Sequence, residues 1–120
     1  MLSDKKVLVV DDEAAIARLV ALVVAETGAK SDTAANGAQA LQKIAADKPD
    51  LVILDLIMPV MTGEEVIQEL QGNPDTQDIK IVLLTTRQGA AGYKKDAFPI
   101  ISKPFDPAQV KALVTSLLAD

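Results

Sequence analysis

The sequence predicts an α/β domain built on a doubly wound, five-stranded parallel sheet in the order 2-1-3-4-5. Three observations lead there. The strand candidates are apolar along nearly their whole length, as strands covered on both faces are. They alternate with stretches whose apolar residues recur at helical spacing. Carboxylate, hydroxyl and ammonium side chains stand at the strand ends, the edge on which open parallel sheets gather ligands.

The first strand is Lys6–Val10 (KVLVV), a β-branched run of strand length. After Asp11, Asp12 and Glu13, a helical stripe of Ile16, Leu19, Val20, Val23 and Val24 follows, closed by Gly28. Residues 30–33 make a short second strand. Asn36 is the expected N-cap of a helix that buries Leu41 and Ile44 and ends near Pro49. The third strand, residues 51–54 (LVIL), runs onto Asp55. Thr62 and Glu65 have capping-box spacing ahead of Val66, Ile67 and Leu70, and Gly72 and Pro74 close that helix. Residues 79–84 (IKIVLL) form the fourth strand, ending on Thr85 and Thr86, and residues 98–102 the fifth, leading to Lys103. Asp106 caps a final helix with Pro107 at its first position, burying Val110, Leu113, Val114, Leu117 and Leu118.

Composition removes several classes of function. The 120 residues suit one domain spanning 1–120, without repeat, linker or low-complexity tract. With no cysteine and no histidine there is no disulfide framework, no thiol or imidazole catalysis, and no His-ligated metal. A net charge of -5 argues against nucleic acid as a partner. No apolar run reaches membrane-span length and no signal sequence is evident, so no membrane association and a cytoplasmic location are expected. The methionines at 58 and 61 read as packing residues, and Lys5, Lys6, Lys94 and Lys95 as solvated surface.

Chemistry therefore rests on carboxylates, hydroxyls and lysines. In the order 2-1-3-4-5 the first and third strands are neighbours at the point where strand order reverses, so Asp11, Asp12 and Asp55 converge. Three such carboxylates repel unless a cation joins them, and an all-oxygen set suits Mg²⁺. A carboxylate can accept a phosphoryl group as a nucleophile. Positioned positive charge and hydrogen-bond donors then carry the rest, and Lys103 and Thr85 are placed to supply them. Each residue alone has an ordinary reading: helix capping for the Asp pair, a turn for Asp55, a strand end for Thr85, a solvated Lys103. Their joint placement at four strand ends favours a site.

The segments VLVVDDE, LVILDLIMPVMTG, IVLLTT and ISKPF, in this order across essentially the whole chain, resemble the signature segments of the receiver domain of two-component response regulators, in particular the single-domain, chemotaxis-regulator type. The resemblance implies a flavodoxin-like fold and a phosphorylation-dependent switch that catalyses only its own phosphorylation and dephosphorylation. It implies Asp55 as phosphoacceptor, Asp12 as a direct Mg²⁺ ligand, Asp11 acting largely through water, and the Ile57 carbonyl facing the metal. Thr85 becomes the switch hydroxyl, Lys103 the phosphate-binding lysine, and the Lys103–Pro104 peptide cis. The implied phosphoryl donor is a sensor histidine kinase or a histidine phosphotransfer protein, and the output is altered binding to a downstream partner protein. The chain closes on its last helix, so a receiver without output domain is expected, a monomer or at most a weak dimer.

Two departures stand out. Between the fourth and fifth strands, residues 86–97 (TRQGAAGYKKDA) contain Gly89 and Gly92, each opposing helix by about 1 kcal/mol, and only one large apolar side chain, Tyr93. The fourth helix of the family is thus expected to be shortened to a turn or replaced by a mobile loop, which phosphorylation would order. Ile100 occupies the position, three before Lys103, where the family usually has Tyr or Phe, and Thr86 is bulkier than the usual residue after the switch threonine. Two competing readings are a degenerate receiver that binds partners without phosphorylation and a haloacid-dehalogenase-type phosphatase. The latter needs an Asp two residues after its nucleophile, where this chain has Ile57.

Overall fold

A computed structural model describes residues 2–86 and 98–119. The chain runs β1 (Lys6–Val10), α1 (Ala14–Ala25), β2 (Lys30–Ala34), α2 (Gly37–Ala46), β3 (Leu51–Asp55), α3 (Gly63–Gln71), β4 (Lys80–Thr85), β5 (Ile100–Ser102) and α4 (Pro107–Leu118). The five strands form one parallel sheet in the order β2-β1-β3-β4-β5, the flavodoxin-like arrangement expected from the sequence.

The apolar strands serve two cores because successive side chains point to opposite faces. Val7 and Val9, Leu51 and Ile53, Val82 and Leu84, and Ile101 face α1 and α4. Leu8 and Val10, Val52 and Leu54, and Ile81 and Leu83 face α2 and α3. Burying both faces is why no polar alternation survives in β1, β3 or β4. Among the described residues no helix is long and apolar enough to cross a membrane.

Local signals set the helix starts. Asn36 Oδ1 accepts from Gln39 N–H at 2.8 Å, and Asp106 Oδ1 accepts from Ala108 N–H at 3.0 Å. Thr62 and Glu65 form the reciprocal capping box. Gly28 sits at φ 95°, a conformation open to glycine, and turns the chain from α1 into β2.

The α1 stripe differs from the sequence reading. Ala17, Val20, Ala21 and Val24 are buried, whereas Leu19 is 50 % exposed and Leu22 59 % exposed. Spacing alone cannot centre the apolar arc when alanine and leucine both flank it. Alanine on the inner side lets the helix approach the sheet closely, which turns Leu19 outward. In α4, Leu113 and Leu117 pack only at the core margin, while Val110, Val114 and Leu118 are buried. β5 is shorter than expected, beginning at Ile100. The shortened or replaced fourth helix, its ordering on phosphorylation, and Lys94 and Lys95 lie outside the described residues; Thr86, just before that stretch, is exposed.

Candidate functional site

The carboxyl ends of β1 and β3 lie side by side, with Val10 opposite Leu54, because the chain leaves β1 toward β2 on one side and returns to β3 on the other. Asp11 and Asp55 are thus the next residues at a topological switch point. Asp11 is completely buried and Asp55 nearly so, while Asp12 is exposed. One carboxylate oxygen from each of the three lies within 4.8 Å of the others.

Lys103 completes the cluster from the far side of β4. The Thr85 carbonyl accepts from Lys103 N–H at 2.9 Å, which ties the end of β5 to the end of β4. The Lys103 ammonium then stands 3.2 Å from Asp55 Oδ2, 2.8 Å from Asp11 Oδ2 and 3.9 Å from Glu13 Oε1. Thr85 is buried at the end of β4, one residue beyond Leu84, the partner of Asp55. The Lys103–Pro104 peptide is cis.

Main-chain amides fix the carboxylates. Asp55 Oδ1 accepts from Ile57 N–H at 3.1 Å, and Asp11 Oδ1 accepts from Glu13 N–H at 2.9 Å. Burial pushes the Asp55 carboxyl up from its ordinary range, and the Asp11 charge adds to this, against the Ile57 amide and Lys103. Burial opposes the charged form of Lys103 too, but attraction to Asp11 and Asp55 outweighs it and raises its pKa.

Asp11 Oδ2 tests whether a cation suits the site. This fully buried oxygen stands 2.8 Å from the Lys103 ammonium but, unlike Oδ1, accepts no main-chain hydrogen bond from the described residues. A buried carboxylate oxygen without a main-chain donor, two neighbouring carboxylates and an all-oxygen donor set in the cluster match the needs of a hard divalent cation.

Residues 7–115 match the response regulator receiver domain. The chain belongs to this family. Its relatives include the alkaline phosphatase synthesis transcriptional regulatory protein PhoP of Bacillus subtilis, 34 % identical over 96 % of this chain and 49 % of that protein. Among solved structures, the chemotaxis response regulator CheY4 of Vibrio cholerae superposes with a TM-score of 0.85 at 30 % identity, covering 95 % of this receiver and 98 % of that chain. The signal receiver domain of a signal transduction histidine kinase from Syntrophus aciditrophicus gives 0.85 at 28 %, covering 96 % and 90 %. The chain spans about half the length of several of the curated relatives it matches.

Asp11, Asp12, Asp55, Thr85 and Lys103 all lie at this carboxyl edge of the sheet. Two features were not legible. Glu13 approaches Lys103, although the sequence marked it only as the third member of an acidic run. Val60, 84 % exposed in the loop after β3, holds φ 73°, where a β-branched residue is strained by roughly 1–3 kcal/mol. No residue type at position 60 signalled that backbone.

Proposed function

We propose that this receiver is a phosphorylation-dependent signalling switch that takes a phosphoryl group on Asp55 from a phosphohistidine donor. One observation carries the reading: the Asp11, Asp12 and Asp55 oxygens converge, and one lysine ammonium meets two of these carboxylates. Asp11, Asp12, Asp55 and the Ile57 carbonyl would hold Mg²⁺, with Ile57 contributing only main chain. When bound, Mg²⁺ supplies charge neutralisation for the carboxylates and for the oxygens of an incoming phosphoryl group.

The chain's own residues do the rest. An Asp55 carboxylate oxygen forms a bond to phosphorus while the bond from phosphorus to the donor nitrogen breaks, and that electron pair leaves with the imidazole. The Ile57 amide holds Asp55 Oδ1, which orients the carboxylate toward the crevice. The Lys103 ammonium moves from balancing a carboxylate to balancing the phosphoryl oxygens, and the Thr85 hydroxyl donates a hydrogen bond to another of them. These 120 residues hold no histidine, so the donor imidazole lies outside them, on a histidine kinase or phosphotransfer protein. Ile57, whose side chain is exposed, offers no acid or base for turnover of external phosphate esters.

Incubation with acetyl phosphate and Mg²⁺, read by intact mass, tests the proposal. One phosphate adduct that disappears with excess chelator is expected; no adduct overturns it. Donor docking is expected to use the large exposed apolar side chains, Ile57 and Val60 in the loop after β3 and Leu19 and Leu22 on α1. Leu22→Arg should slow transfer from a phosphorylated histidine phosphotransfer domain about tenfold or more while leaving labelling by acetyl phosphate unchanged.

A further inference from the structure

Glu13 occupies the N-cap of α1 with extended backbone, yet its side chain caps nothing. A glutamate is an uncommon choice there, since shorter Ser, Thr, Asp and Asn side chains reach the first-turn amides. Its carboxylate instead stands 3.9 Å from Lys103 Nζ, on the solvent side of an ammonium that already serves Asp11 and Asp55. The Glu13 main chain meanwhile holds Asp11 Oδ1. One residue thus fixes Asp11 through its amide and faces the lysine through its carboxylate.

The Lys103 ammonium stands close to Asp11 Oδ2 and Asp55 Oδ2, on two of the carboxylates that the proposed function assigns to a divalent cation. Two like charges beside the same buried oxygens repel. For the carboxylates to turn to a cation, the ammonium must give ground on Asp11 without leaving Asp55, whose phosphoryl group it is to meet. A third acceptor outside the buried pair lets it do so.

We propose, resting on the switch reading above, that Glu13 is a positioning residue that receives the Lys103 ammonium as Asp11 turns to a cation, thereby easing cation entry. Glu13 is exposed, so the effect is modest: Glu13→Gln should weaken Mg²⁺ binding about two- to fivefold. It should also leave the thermal midpoint of the metal-free protein unchanged within about a degree. The test is calorimetric titration of the full chain with Mg²⁺ for the native sequence, Glu13→Gln, Lys103→Met and the double variant, with Lys103→Gln as the background should Lys103→Met not fold.

Weakened binding that depends on Lys103, and vanishes in the Lys103→Met background, supports the proposal. An equal loss in both backgrounds overturns it, because Glu13 then acts only through its general field on the cation. No loss in either also overturns it. A native chain that takes up no Mg²⁺ overturns both this proposal and the metal site on which it rests, which separates the two failures.

Discussion

Asp55→Asn is expected to abolish phosphate incorporation from acetyl phosphate, while the folded domain remains intact or becomes more stable. The substitution preserves shape and can keep the acceptor oxygen facing Ile57 N–H, so the local turn survives. It removes the anionic oxygen that would attack phosphorus. The stability side follows from burial. Desolvation and the Asp11 charge raise the Asp55 carboxyl despite the Ile57 amide and Lys103, so ionising it costs the native state. With a raised native pKa, the folded protein binds more protons than the unfolded one between the two values, and stability falls as pH rises through that interval. Metal-free native protein at neutral pH should therefore melt below Asp55→Asn. The gap should close as pH is lowered toward the unfolded carboxylate value of about 4. Thermal melts in chelator across pH measure this. A native protein that melts above Asp55→Asn at neutral pH would show that the Lys103 pairing outweighs burial, contrary to the argument.

Gly63→Ala is expected to destabilise the receiver by about 1–3 kcal/mol and to disturb Asp55 at the same time. A Cβ at position 63 would run into the Asp55 carbonyl oxygen and stand 2.7 Å from Leu56 Cα. Both are main-chain atoms at the end of β3, so no side chain can rotate away. Either the first turn of α3 lifts from the strand or the residues carrying the acceptor shift. The Gly63 amide donates to the Leu56 carbonyl at 3.0 Å, a bond this movement would break. Gly72→Ala is the contrast, since a Cβ there meets only Gln68 O at 3.1 Å, at a helix end free to relax. Urea denaturation of the two variants should separate them clearly, with Gly63→Ala losing labelling rate as well. Equal midpoints would mean that the β3–α3 junction is softer than its close contacts imply.

The two effects locate the weak point of the design at one strand end. β3 must carry a buried carboxylate outward and then let a helix pack directly against its last carbonyl. Burial of Asp55 raises the energy of its ionised form; Lys103 lowers it, and a bound cation would lower it further. Under the proposed switch, that balance would give phosphorylation a lever on the surrounding structure.

The sequence alone determined the sheet order, the capping of α2, α3 and α4, and the identity of the residues that gather at the carboxyl edge. These are legible because each is set locally: apolar runs of strand length, a Thr and Glu three apart, an Asp before a Pro. Switch-point geometry then leaves little choice over which strand ends meet. Only the tertiary structure decided that Leu19 faces outward, that Asp11 turns one oxygen to the Lys103 ammonium and the other to a main-chain amide, and that Glu13 turns to Lys103 instead of capping α1. Each depends on distances between segments far apart in the chain, where one ammonium chooses among three carboxylates and alanines set how closely a helix meets the sheet. Residue type and spacing carry no record of such choices, because they are made by competition for the same buried space and the same charge.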